Sequence, residues 1–162
     1  MTAPEPFPSH HLIQADLLRV RDWLQRHEEV YAGIRMDHGP DRHGPWRVVV
    51  ALAGHTPEFE AELRARAEHP GSLDVLPVRW SLRDLREVME KVEAKRDAVR
   101  RRGCAIPVLG PSFEDNRVRI RLHPYDEGVA AWLIRKFGED RVLVVGEGLV
   151  THGPAPADPA QP

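Results

Sequence analysis

The sequence predicts an α+β protein built from two αββαβ-like units, each a small, mostly antiparallel sheet with helices on one face. Two observations predict this class. The order helix, strand, strand, helix, strand is found twice along the chain, and 41% hydrophobic and 30% charged residues are typical of a globular protein. We place the units at residues 15–80 and 81–150, between Pro-rich tails at 1–14 and 151–162 that we expect to be disordered.

The first unit begins with a predicted helix over Ala15 to His27, in which an apolar stripe recurs every three or four residues. A strand over Val30 to Met36 follows, and period-two alternation places Ala32, Ile34 and Met36 on one face and Tyr31, Gly33 and Arg35 on the other. The polar loop His38 to Pro45 and a return strand, Trp46 to Leu52, complete a hairpin.

The second half of this unit is a helix and a strand. Thr56 and Pro57 suit a helix start, because a Thr hydroxyl caps free N–H groups and proline fits the first helical position. The run His69-Pro70-Gly71 predicts the helix end. The strand from Leu73 to Trp80 contains Pro77, which indicates an edge position.

The second unit repeats the order. Ser81 and Asp84 predict a capping box for one long helix that runs to Gly103. Strands are predicted over 104–109 and 117–122, joined by a turn at 111–116. A further helix ends at Gly138 and leads to a last strand over 141–145.

Arg117, Arg119 and Arg121 alternate with Val118, Ile120 and Leu122. A period of two places the arginines on one side of the strand and the aliphatic side chains on the other. The aliphatic side is therefore core, and the arginines face water or a partner. Arg100 and Arg101, at the predicted end of the long helix, complement the helix dipole and also suit an acidic partner.

Charge and cysteine content exclude several classes. The net charge of −2 offers no long-range attraction for nucleic acid or anionic membranes, so we expect neither as a partner. Cys104 is the only cysteine, which excludes an internal disulfide and a cysteine-based metal site. The first nine residues carry no basic region or long apolar run, so we expect a cytoplasmic protein.

No residue pattern points firmly to catalysis or to a cofactor, and we expect neither. Ser81 suits a helix cap, and Cys104 at the start of an apolar strand suits a small core residue. The richest polar cluster is the loop His38 to His43, in which His38, Asp41 and His43 could ligate a metal with help from Asp37 and His55. A solvated loop is the simpler interpretation. His55 and His123, which we align before the second helix of each unit, suit turns or caps.

Three apolar segments of the first half are similar to the prosegments of alpha-lytic-protease and streptogrisin-type secreted serine proteases. These are Tyr31-Ala32-Gly33-Ile34, Val48-Val49-Val50-Ala51-Leu52 and Val78-Arg79-Trp80-Ser81-Leu82, within residues 23–92. The resemblance implies a fold of helices and small sheets that clasps another protein as a folding template or inhibitor, partly through sheet pairing.

The function expected from the sequence is therefore non-enzymatic protein binding, chaperone-like or inhibitory. Arg117, Arg119, Arg121, Arg100 and Arg101 are the predicted contact residues. The partner is another protein, with a trypsin-like protease implied by the resemblance, or a second copy of the chain. Two alternatives remain open: a metal-dependent or acid-base enzyme at the His38 to His43 loop, and nucleic-acid binding through the arginine strand.

Overall fold

The computed structural model describes residues 8–38 and 44–146, and these form the two predicted αββαβ units. The elements of the first unit are α1 (His10–Leu24), β1 (Tyr31–Asp37), β2 (Arg47–Ala53), α2 (Pro57–Arg64), a 3₁₀ turn (Pro70–Ser72) and β3 (Leu73–Val78). The elements of the second unit are α3 (Leu82–Glu93), α4 (Arg96–Arg100), β4 (Ala105–Ser112), β5 (Arg117–His123), α5 (Glu127–Phe137) and β6 (Val142–Val145). The predicted α+β class is confirmed.

Each sheet has three strands and is mixed rather than mostly antiparallel, with the orders β1-β2-β3 and β4-β5-β6. The first two strands form an antiparallel hairpin, and the third lies parallel to the second. The parallel pairing arises because α2 and α5 cross over the sheet and return the chain to the end where the preceding strand began.

The two units share their strand register. Val48 on β2 pairs with Leu73, and Val118 on β5 pairs with Val142. Both first strands also carry an irregularity near their start, between Tyr31 and Gly33 in β1 and between Ala105 and Val108 in β4. Two αββαβ units of one design therefore follow each other along the chain.

The irregularity in β1 corrects the predicted faces of that strand. Tyr31 pairs with Leu52 and Gly33 pairs with Ala51, so Ala32 is an extra residue in the ladder. Tyr31 consequently joins the core of the first unit, while Gly33 stays on the outer face, opposite Ala51. A strict period of two cannot foresee this change of face.

Each unit has its own core between the sheet and its helices. The first core contains buried residues of α1, β2, α2 and β3, including Ile13, Val20, Leu24, Val48, Val50, Leu52, Leu63 and Leu73. The second contains the matching set from α3, α4, β5, α5 and β6, including Leu85, Val92, Val99, Val118, Ile120, Leu122, Leu133 and Val142. The helices pack on the face of each sheet that carries these core residues, and we call the opposite face the outer face.

Four helix boundaries differ from the prediction. Helix α1 ends at Leu24 rather than at His27, and it begins at His10. Ile13 within it is fully buried, so this part of the chain does not belong to a disordered tail. Helix α2 ends at Arg64 rather than at His69. The long helix predicted up to Gly103 is two helices, α3 and α4, separated at Ala94 and Lys95. Residues 1–7 and 147–162 lie outside the described residues; they hold the rest of the predicted N-terminal tail, the last four residues predicted for the second unit, and the predicted C-terminal tail.

The turn between β4 and β5 joins the two units. The Asn116 side chain accepts the backbone N–H groups of Arg79 and Trp80 at 3.1 and 2.8 Å and donates to the Trp80 carbonyl at 2.8 Å. The Phe113 ring lies on Gly33 of β1, where an added Cβ atom would be 2.6 Å from the ring. Because Gly33 is on β1 and Trp80 follows β3, the turn crosses the outer face of the first sheet.

Candidate functional site

The candidate nucleophiles have structural roles. Cys104 is 4% exposed within the second core, and burial, together with the charge of Asp126, raises the pKa of its thiol. The Ser81 hydroxyl accepts the Asp84 N–H, and the Asp84 carboxylate accepts the Ser81 N–H, which is the predicted capping box. Neither side chain is arranged as an activated nucleophile.

Of the predicted metal-ligating residues, His38 and the supporting Asp37 and His55 are among the described residues. The His38 ring lies against Trp46, with ring centroids 3.4 Å apart. His55 lies beyond the opposite end of β2, whose seven residues span about 20 Å. Asp41 and His43 are outside the described residues. His55 and Glu60 approach to 3.5 Å, a contact within the α2 region that suits a structural role.

The alignment of His55 with His123 is wrong in detail. The equivalent helix caps are Thr56 and Asp126, whose side chains accept the N–H groups of Phe59 and Val129. His55 immediately precedes its cap, whereas His123 is the last residue of β5. The residue that matches His55 is therefore Tyr125, and the histidines are not a repeated pair.

The structure also assembles a polar cluster that the sequence reading missed. Asp16 on α1 is 2% exposed and accepts the backbone N–H groups of Glu68 and His69 at 2.8 and 3.0 Å. The His69 Nδ1 atom lies 3.0 Å from the same carboxylate. These bonds satisfy Asp16 and anchor the loop after α2 to α1. The available signal was a carboxylate between Ile13 and Val20 on the buried stripe of the helix.

The outer face of the second sheet presents the predicted arginine row. Val118, Ile120 and Leu122 are 0% exposed in the core, whereas Arg119, Arg121 and His123 are exposed and Arg117 is half-buried. Ladder partners on this face are Ser112, Gly110 and Val108 of β4 and Leu143 and Val145 of β6. We call this set of residues the arginine face.

The arginines differ in how far their charge is already neutralised. Asp115 lies 3.7 Å from Arg117 and 3.1 Å from Arg119, and it accepts the Ser112 hydroxyl at 2.7 Å. Burial alone would raise the pKa of Asp115, but these hydrogen bonds and the two guanidinium charges lower it below its ordinary value. Arg121 has no carboxylate within 4 Å among the residues that the structure describes. Arg121 is therefore the cation most available to a partner.

Arg100 and Arg101 do not belong to this face. Their helix, α4, packs through Val99 into the second core, on the side of the sheet opposite the arginine row. Arg100 pairs with Asp97 at 3.2 Å. The two predicted groups of cations are thus separated by the sheet.

The equivalent face of the first sheet differs in composition and in cover. Ala51, which matches Arg121 in the shared register, is 2% exposed. Phe113 lies on the neighbouring Gly33, and Leu76 on β3 remains 41% exposed. The first outer face is therefore partly used inside the molecule. On the arginine face, Arg117 donates to the Glu139 carbonyl in the loop before β6 at 3.1 Å, whereas Arg119 and Arg121 remain exposed.

Comparison with known proteins gave no assignment: no protein-family model matches the chain, and no curated protein matches it either. Among the helices of residues 8–38 and 44–146, none combines the length and the apolar character needed to cross a membrane.

Proposed function

We propose that the chain is a non-enzymatic protein-binding module and that its contact surface is the arginine face. A single observation carries this proposal. Of two outer faces with the same register, one is contacted by Phe113 from the other unit, and the other presents an exposed arginine row. The first outer face shows that a sheet of this design can accept a loop. The matching face of the second sheet is therefore a suitable platform for a second protein.

The charge on the arginine face favours a partner with an acidic surface. Arg121 has no carboxylate partner among the described residues, and Arg119 shares Asp115 with Arg117. Arginine is enriched among residues that dominate binding energy at protein interfaces. Single-stranded nucleic acid is disfavoured, because such sites stack bases on aromatic side chains and the described ladder residues on this face include no Phe, Tyr or Trp.

The resemblance to protease prosegments fits this proposal as a hypothesis about the partner. A prosegment-like module would act as a folding template or an inhibitor, with a trypsin-like protease as its partner, and self-association through the same face is the alternative. The proposal itself rests on the arginine face and holds for any acidic partner.

Charge reversal of Arg121 tests the proposal. The full chain and its Arg121→Glu variant are immobilised, and proteins retained from a native lysate are identified by mass spectrometry. Arg100→Glu is the matched control, because it makes the same change on the opposite side of the sheet. We expect a specific protein that binds the parent and the control but binds Arg121→Glu at least about tenfold more weakly.

Two results would contradict the proposal. The first is a partner whose retention is the same for Arg121→Glu and for the parent. The second is a monomeric chain that retains nucleic acid instead of protein. Sedimentation of the purified chain identifies self-association, and in that case Arg121→Glu should dissociate the oligomer while Arg100→Glu should not.

A further inference from the structure

Each outer sheet face has an outward glycine on its first strand, Gly33 opposite Ala51 and Gly110 opposite Arg119. The two are not register equivalents, since Gly110 matches Arg35, and only the space above Gly33 is filled. A Cβ atom added to Gly33 would lie 2.6 Å from Phe113 Cδ2, so the ring occupies the space that a side chain would take. A Cβ atom added to Gly110 would have no heavy-atom neighbour within 4 Å. Gly110 pairs with Arg119, whose side chain is on the outer face, so the open space also lies on that face.

The filled position shows which chemistry such a surface accepts. The Arg35 guanidinium carbon lies 4.8 Å from the centroid of the Phe113 ring, and Arg35 donates to Glu114 Oε1 at 3.2 Å. One arginine thus contacts an aromatic ring and the carboxylate of the next residue. The glycine beneath lets the ring lie close to the strand backbone.

The same components surround Gly110. Arg119 lies directly opposite on β5, Arg121 pairs with the next outward residue Val108, and Arg117 pairs with Ser112. Val108 is 42% exposed and provides apolar surface beside the glycine. The difference from the first unit is that the arginines stand on the central strand rather than on the strand that carries the glycine.

We propose that the partner places an aromatic side chain on Gly110 and pairs the acidic residue that follows it with Arg121, as Phe113 and Glu114 do on Gly33 and Arg35. This inference rests on the proposed function and defines its partner class: a protein with an exposed loop that carries an aromatic-acidic pair. An aromatic anchor beside a charge-assisted pair is typical of an interface hot spot.

A peptide that reproduces the chain's own turn is the probe for this site. The probe is acetyl-Gly-Ser-Phe-Glu-Asp-Asn-Gly-amide, titrated into the ¹⁵N-labelled full chain and followed by amide chemical shifts. A single loop supplies little contact area, so we expect a Kd on the order of 1 mM. Shifts should centre on Gly110, Arg119 and Arg121. Replacing Phe by Ala, or both acidic residues by their amides, should weaken binding at least about tenfold.

Two protein variants test the contribution of the space above Gly110 and that of the Arg121 charge separately. Gly110→Val fills the space above Gly110, so the Phe and Ala probes should bind this variant equally. Valine suits a strand, so we expect the fold to be preserved, which near-UV circular dichroism checks. Gly71→Val is the matched control, since a Cβ atom there also meets nothing within 4 Å and the site is remote from the arginine face. Arg121→Glu should abolish the carboxylate contact.

The outcomes are distinguishable. Three results would each overturn the proposed aromatic contact at Gly110. They are equal binding of the Phe and Ala probes, shifts centred on Gly33, and no binding at millimolar concentrations. Binding that depends on Arg121 but not on Gly110 would contradict the aromatic contact at Gly110 and would leave the proposed function intact. If Arg121→Glu also leaves retention of the natural partner unchanged, the proposed function fails with it.

Discussion

Gly33 is a residue of the first unit on which an aromatic ring of the second unit packs. The Phe113 ring lies where a Cβ atom would be, and Arg35 holds both the ring and the neighbouring Glu114. Any side chain at position 33 must therefore displace an aromatic ring or shift the turn that carries it. Gly110 also faces outward in the second unit with open space above it, although in the shared register it matches Arg35 rather than Gly33.

Replacing Gly33 with alanine tests this contact. We expect Gly33→Ala to lower the free energy of unfolding by about 1–3 kcal/mol through overpacking. In a Phe113→Ala background the same change should be neutral or slightly stabilising, because alanine reduces the entropy of the unfolded chain. Urea unfolding of both pairs measures the coupling, with Gly110→Ala as the unobstructed control. Equal costs in the two backgrounds would contradict the contact.

Sequence periodicity predicted the residue faces where the ladder is regular. The alternation of Arg117, Arg119 and Arg121 with core residues is confirmed, and so is the Ser81 capping box. Tyr31 was assigned to the wrong face because the extra residue Ala32 depends on tertiary pairing. The partial neutralisation of the arginine row by Asp115 could not be predicted either, since it depends on the conformation of a turn.

Among the elements, β3 is tied to β2 by an ion pair on the outer face. Arg47, at the start of β2, donates two hydrogen bonds to the carboxylate of Asp74 on β3. These bonds are the main reason that the pKa of Asp74 is lowered. Burial would raise this pKa, and the charges of Arg47 and Arg64 lower it further. A carboxylate with a lowered pKa stabilises the fold above its unfolded pKa, and that stability is lost as the pH falls through its folded pKa.

This linkage predicts a pH-dependent effect of Asp74→Asn. At pH 7 the variant should lose at most about 1 kcal/mol, because the Asp74 side chain is 46% exposed and water screens the pair. The difference from the parent should shrink as the pH falls from about 4 to about 2. Urea unfolding at each pH measures it. Glu62→Gln, an exposed site with no ion pair among the described residues, should show no such change; a pH-independent cost for Asp74→Asn would contradict the linkage.

The order and type of the elements could be read from the sequence more reliably than their ends. The two predicted side-chain caps, Thr56 and Ser81, were placed correctly, whereas the Asp126 cap of α5 was not predicted. The break between α3 and α4 was missed because Val92 and Val99 continue one apolar stripe across it. That break places Arg96 where it donates to the Ile106 carbonyl of β4, a tertiary contact that local periodicity does not encode.

At the scale of the whole molecule, Trp80 lies where the two units meet. Its indole N–H donates to the Asp140 carbonyl at 3.0 Å, its ring packs against the second core, and Arg79 and Arg141 lie over the ring. Asn116 binds the Trp80 backbone from the other side of the junction. The connection between the units is thus held by specific hydrogen bonds rather than left as a free linker.

Removing the Asn116 side chain should weaken this junction. Asn116 has a φ of 48°, so Asn116→Gly keeps the backbone conformation accessible while it deletes all three side-chain hydrogen bonds. We expect a loss of about 2 kcal/mol in unfolding free energy, since three backbone groups lose their partners, two of them in part-buried hydrogen bonds. Asn116→Asp, which retains the acceptor oxygen, should lose less. Urea unfolding followed by tryptophan fluorescence and far-UV circular dichroism measures both, and an unchanged midpoint for Asn116→Gly would contradict a structural role for the junction.

The repeated plan could be predicted from the order of elements, but the arrangement of the units could not. Nothing in the local pattern of Phe113 or Asn116 indicates that a turn of the second unit lies across the first sheet. The candidate site was predicted in part: the arginine row is where periodicity placed it, whereas Arg100 and Arg101 were grouped with it only by charge.

The common register of the two sheets has a consequence for how the chain tolerates change. Ala51 and Arg121 hold the same place in the two ladders, yet one is enclosed and the other open to solvent. A bulky or charged side chain costs little folding stability at position 121, but the same side chain at position 51 would destabilise the fold. The outer face of the first unit is therefore constrained by packing within the molecule, whereas the outer face of the second unit can vary to suit a partner.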